Sequence, residues 1–186
     1  MKRVLVNPKQ TQPMYDAFHF SQANRVGDTI WVSGQVGIDS NLSPASGMAA
    51  QARLAFEGLK RTLAETGSSL EDVVELTTFH IDLRCEMEQF ASVKDEYFPR
   101  DYPAWTAVGV TQLALPELRV EVRAVAIAGS GKEWQSNAPA EIESSAEPFS
   151  FMKTSASSRG NSLKRNKSKC QRCSTDKTDW LELAAG

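Results

Sequence analysis

Apolar positions along the chain follow two rhythms, and together they define a short list of elements. Lys2–Val6, Phe18–Asn24 and Thr29–Val36 carry the alternation and β-branched or aromatic content of strands. The last two flank Arg25-Val26-Gly27-Asp28, whose glycine suits a tight hairpin. From Met48 to Thr66 the rhythm changes: Ala52, Ala55, Phe56, Leu59 and Leu63 recur at helical steps, which predicts a helix with one buried face. Gln51, Arg53, Glu57, Lys60 and Arg61 fall largely on its other side, and Gly67 follows as a left-handed terminator. Val73–Leu83 reads as a strand. A second helix over Glu86–Phe98 buries Met87, Phe90, Val93 and Tyr97 and is stopped by Pro99. Trp105–Leu113 and Leu118–Ala128 are the final strands, joined through Pro116.

The order βββαβαββ predicts an α+β domain with a single mixed sheet and two helices on one face. The other face would be bare, so self-association through it is expected. In the last strand Val120, Val122, Ala124 and Ala126 point to the helices, while Arg119, Glu121, Arg123, Val125 and Ile127 point away. Charges on a face that becomes an interface need partners or a wet cleft, and such a cleft is where a site belongs.

Composition divides the chain near residue 129. Residues 1–129 carry 12 Lys+Arg against 16 Asp+Glu, and residues 130–186 carry 9 against 7. The second stretch is serine-rich and aperiodic, and is expected to be a largely disordered tail. Its basic run from Arg159 to Arg172 is read as a solvated segment, and the acidic domain speaks against nucleic acid as a partner. Cys170 and Cys173 have the spacing of half a zinc site, but the only histidines, His19 and His80, lie in the folded part. No metal is expected. With Cys85 the cysteines are odd in number, unlike a secreted disulfide framework. The amino-terminal apolar run is too short for a signal core, and no stretch approaches the ~20 apolar residues of a spanning helix. A cytoplasmic location without membrane contact is the expectation.

Ser33-Gly34-Gln35 after an apolar strand, Ala50-Gln51-Ala52-Arg53 opening the helix, Pro103-Ala104 before a strand, and Val120-Glu121-Val122 in the last strand are together recognisable. Over residues 4–128 the chain resembles the RidA/YjgF family. That resemblance implies the chorismate-mutase-like RidA fold and a homotrimer with clefts between subunits. It also implies cofactor-free hydrolysis of reactive imines or enamines to ammonia and a 2-keto acid. Glu121 matches the glutamate that positions the water, and Ser33 and Gly34 match the loop lining the site. Other positions depart. Trp105 stands where deaminating members have a carboxylate-clamping arginine, Phe20 where an aromatic hydroxyl is common, Lys94 for a site asparagine, and Ala107 for a cysteine. Loss of a bidentate arginine contact costs on the order of 2–5 kcal/mol.

Lys94, Arg119 and Arg123 are the cations available to replace it. Arg119 and Arg123, two positions either side of Glu121, are expected to favour its ionised form. Trp105 reads either as a platform for an apolar substrate or as interface packing. His80 reads as a hydrogen-bonded structural residue, and Cys85 as an incidental thiol. Two functions follow: a hydrolase acting on an imine, enamine or related small molecule with Glu121 orienting water, or a non-catalytic ligand-binding trimer.

Overall fold

Every second residue of Val120–Ile127 is buried, and the strand they form lies inside the sheet, with neighbours on both sides. The computed structural model describes residues 2–131. In chain order the elements are β1 (Val4–Val6), α1 (Gln12–Phe18), β2 (Ala23–Val26), β3 (Thr29–Val36), α2 (Met48–Glu65), β4 (Val73–His80), α3 (Leu83–Tyr97), β5 (Ala104–Gly109) and β6 (Val120–Ile127). One six-stranded sheet has the order β1-β2-β3-β6-β4-β5. All neighbours are antiparallel except β4 and β5, which are parallel and joined through α3. No helix among the described residues is long and apolar enough to cross a membrane.

Helices α2 and α3 lie on one face. Met48, Ala52, Ala55, Phe56, Leu59 and Leu63 of α2 pack with Phe90 and Val93 of α3 against Ile30, Val32, Leu76 and the buried half of β6. The Phe56 ring lies 5.7 Å from Phe90 and 5.0 Å from Tyr97, and these contacts join the two helices. Helix α2 ends as its sequence requires: Gly67 takes φ +77, and the Ser68 N–H donates to Leu63 O at 3.0 Å.

The structure corrects several expectations. Where Phe18–Asn24 reads as a strand, α1 runs through Phe18 and the strand starts only at Ala23. Helix α1 opens with Pro13, closes on left-handed His19 and buries no residue, so it carries no apolar stripe that could reveal it. The hairpin loop is only Gly27-Asp28, with Gly27 at φ +60 as a II′ turn needs at its first position. Strands β4 and β5 stop at His80 and Gly109, short of Leu83 and Leu113, and α3 begins three residues before Glu86. The tail, with its basic run and the Cys170/Cys173 pair, lies outside the described residues, although Ser130 and Gly131 still bond to Asp72.

Gln51 is a further correction. Assigned to the polar side of α2, it is 1% exposed. Its Nε2 donates to Ala45 O and Glu117 O, both at 2.8 Å, and its Oε1 accepts from the Arg119 N–H at 2.8 Å. One amide thus pins the loop entering α2 to the turn entering β6. A Cβ on Gly37 would lie 2.3 Å from the Gln51 Cα, so α2 sits directly on the backbone there. Gln51→Ala takes the partner from the Ala45 and Glu117 carbonyls and from the Arg119 N–H, all partly buried. It is expected to destabilise the fold by about 2–4 kcal/mol, measured as a lower urea midpoint at unchanged slope.

Candidate functional site

Between Val32 and Gln35 strand β3 advances three residues while β6 advances two, since Val32 pairs with Ala124 and Gln35 with Val122. The extra residue is a bulge at Ser33-Gly34. Bulges redirect side chains and kink the strand that bears them. Here the Ser33 hydroxyl turns to the chain before β2 and donates to Ser21 O at 2.7 Å, while the Ser33 N–H donates to Gln22 O at 2.9 Å. Gly34 is left under a carboxylate. A Cβ at this position would lie 2.0 Å from Glu121 Oε1, so only glycine admits the side chain where it rests. The two residues expected in a site-lining loop are therefore inside a strand, and Gly34 serves Glu121 directly.

Glu121 pairs across the sheet with Val36 on one side and Phe79 on the other. It borders an open depression of about 440 Å³ whose other walls are Phe79, Val110, Gln112, Leu113 and Ala114. Burial raises its pKa above the ordinary carboxylate value. This reverses the sign expected from Arg119 and Arg123. Arg119 precedes β6, and its guanidinium binds Glu86 on α3 instead of flanking Glu121. Arg123 stays on the strand but is exposed to solvent, where its charge is screened.

The second group of candidates lies at edge strand β5. Trp105 is in register with buried Leu76, and Ala107 with buried Thr78, which puts both on the helix-bearing face. The Trp105 indole N–H donates to Thr78 Oγ1 at 3.0 Å, and its ring centroid is 5.9 Å from that of Phe90. Lys94, one turn after Phe90 on α3, holds its Nζ 5.1 Å from the Trp105 centroid and 5.5 Å from that of Tyr102. Thr78 Oγ1 also lies 2.8 Å from Nε2 of His80, a fully buried imidazole set edge-on to Phe90 at 4.7 Å. Burial lowers the His80 pKa to about 4, so the ring is neutral near pH 7. Its Nδ1 is buried without a hydrogen-bond partner. The structural reading of His80 fits this position.

The structure thus sorts the sequence-predicted residues into two sets. Ser33, Gly34 and Glu121 cluster around the β3 bulge. Trp105, Ala107 and Lys94 gather across the sheet, under α3. Phe20 is half-buried in the segment between α1 and β2. Thr78, Tyr102 and Phe79 escaped sequence reasoning. Thr78 and Phe79 were accessible through strand alternation around His80, whereas nothing local marks Tyr102.

A single mixed sheet, a two-helix cover and a half-buried carboxylate seated on a glycine bulge define a small α+β protein with a sheet-borne acid site. Residues 11–128 match the family described as Endoribonuclease L-PSP. The RutC family protein YjgH of Escherichia coli (strain K12) is 39% identical over 123 residues, which cover 66% of this chain and 94% of that protein. A 2-iminobutanoate/2-iminopropanoate deaminase of Dermatophagoides farinae is 29% identical over 128 residues, 68% of this chain and 96% of its own. The solved structure of protein YJGH superposes with a TM-score of 0.64 at 38% identity, covering 69% of this chain and 98% of that one. The chain belongs to this family, the RidA/YjgF family that its motifs resemble.

The buried histidine has a consequence for stability. The unfolded chain takes up a proton near pH 6.5, and the folded one only near pH 4. Stability is therefore full above pH 6.5 and falls as the pH drops from there to about 4. The loss is on the order of 3 kcal/mol. Urea denaturation across that interval is expected to show this decline, and His80→Gln is expected to flatten it.

Proposed function

We propose that this chain is a cofactor-free hydrolase of reactive 2-imino acids or related imines and enamines, working as a homotrimer. The observation that carries the reading is the Glu121 carboxylate, seated on Gly34 and raised in pKa by burial on the sheet face away from the helices. Relatives named 2-iminobutanoate/2-iminopropanoate deaminase support the reaction class. The opposed placement of the two residue sets supports the assembly. Glu121 and Trp105 cannot line one cleft within a protomer, so a shared cleft takes them from neighbouring copies. Exposed Trp31, Val108 and Ile127 on the Glu121 face supply apolar surface for that contact.

In this reaction ionised Glu121 accepts a hydrogen bond from water and takes its proton as the oxygen attacks the C=N carbon. The proton is delivered to nitrogen to give the carbinolamine, whose hydroxyl proton is then transferred to nitrogen as the C–N bond breaks, so that ammonia leaves with the 2-oxo acid. A raised pKa makes the carboxylate a stronger proton acceptor. Activity is then lost as the pH falls through that raised value.

A second reading, a ligand-binding trimer without catalysis, is favoured by one observation: Trp105 stands in place of an arginine and spends its N–H on Thr78. Ammonia release from 2-imino acids generated in situ separates the two. We expect a rate above the spontaneous one, a drop of at least about 100-fold in Glu121→Gln, and an acid limb of kcat/KM above the ordinary glutamate range. Sedimentation of the same sample is expected to give three times the chain mass. No enzymatic rate, with 2-oxo acid affinity unchanged in Glu121→Ala, would overturn the hydrolase in favour of the binding protein.

A further inference from the structure

We infer that Lys94 is the anion-holding residue of this site, and that it selects small carboxylates with an aromatic or bulky apolar body. Only the identity of the substrate as a 2-imino acid rests on the reading above; the anion site rests on the geometry at β5. Two aromatic faces approach the Lys94 ammonium, Trp105 at 5.1 Å and Tyr102 at 5.5 Å. Ring quadrupoles stabilise a cation at that range without neutralising it.

Among the described residues its carboxylate partner is Asp95, at 2.6 Å. That pair is easily exchanged. Successive helix residues project about 100° apart and do not face each other. Asp95 is also 62% exposed, whereas the Lys94 side chain is only 12% exposed. A ligand carboxylate arriving over the Trp105 face can take the place of Asp95, which swings to water. Because Lys94 is already held by its neighbours, little side-chain freedom remains to be lost on binding.

Trp105 completes the selectivity. With its N–H bound to Thr78 and its ring against Phe90, the indole has a fixed orientation, and 36% of the residue remains exposed. It offers a ligand an apolar surface and no free donor. A point charge with three rotatable donors beside a flat hydrocarbon wall replaces the planar fork of an arginine. Such a pair favours a single charge-assisted contact plus a ring or branched chain stacked on the indole. Small 2-oxo or 2-imino acids lose the second contribution.

The test is calorimetric titration of the full chain with phenylpyruvate, 2-oxobutyrate and the neutral amide of phenylpyruvate. Phenylpyruvate is expected to bind at least tenfold tighter than either of the others. Lys94→Met is expected to weaken phenylpyruvate at least tenfold and leave the amide unchanged, with Lys94→Arg within a few-fold of the original. Trp105→Ala is expected to abolish the preference over 2-oxobutyrate. Melting temperatures of the variants control for folding. Equal phenylpyruvate affinity in Lys94→Met, no discrimination between acid and amide, or no phenylpyruvate binding would each overturn the inference. Lys94-dependent affinity without ammonia release would sustain it and overturn the hydrolase. Ammonia release unaffected by Lys94→Met would do the reverse.

Discussion

Strand β6 lies between β3 and β4, and its side chains must alternate between two very different environments. Val120, Val122, Ala124 and Ala126 fill the space beneath the helices. The pleat then sends Glu121 to the opposite face, between Val36 and Phe79. The register is held from outside the strand by Gln51, whose amide oxygen accepts the Arg119 N–H just before β6 begins. A slip of one residue would bury Glu121 beneath α2 and expose four apolar side chains. Core packing and site geometry are in this sense one constraint.

The electrostatics of Glu121 follow from where its neighbours go. Arginines two positions either side would hold a carboxylate in its charged form if all three shared an unbroken strand. The strand begins after Arg119, and that guanidinium binds Glu86 at the start of α3. Desolvation therefore prevails over charge attraction, and the pKa moves up. The bulge contributes by bringing the bare backbone of Gly34 against the carboxylate.

At the edge strand the chemistry is redistributed. The Trp105 indole spends its polar hydrogen on Thr78, beside buried His80. The Lys94 ammonium lies over that ring, 5.1 Å from its centroid. A point charge and an apolar wall stand side by side at this edge of the sheet.

Much of the architecture was legible from the chain alone. Period-two and period-3.6 patterns located the long elements because each has a face buried against the same core, and Gly67 ended α2 through its backbone freedom. Glu121 and Ser33-Gly34 were found by motif. What the sequence could not show lay where burial is decided by distant partners. Helix α1 buries nothing and so leaves no pattern, and Gln51 is polar yet enclosed because loops from two other parts of the chain need its amide. Residues that looked like members of one site were separated to the two faces of a sheet by strand pairing. Local pattern determined which segments become helix or strand, since periodicity is a property of neighbours in sequence. Only tertiary structure decided the direction of the Glu121 pKa shift, the Glu86 partner of Arg119 and the place of Lys94, since desolvation and pairing depend on residues far along the chain.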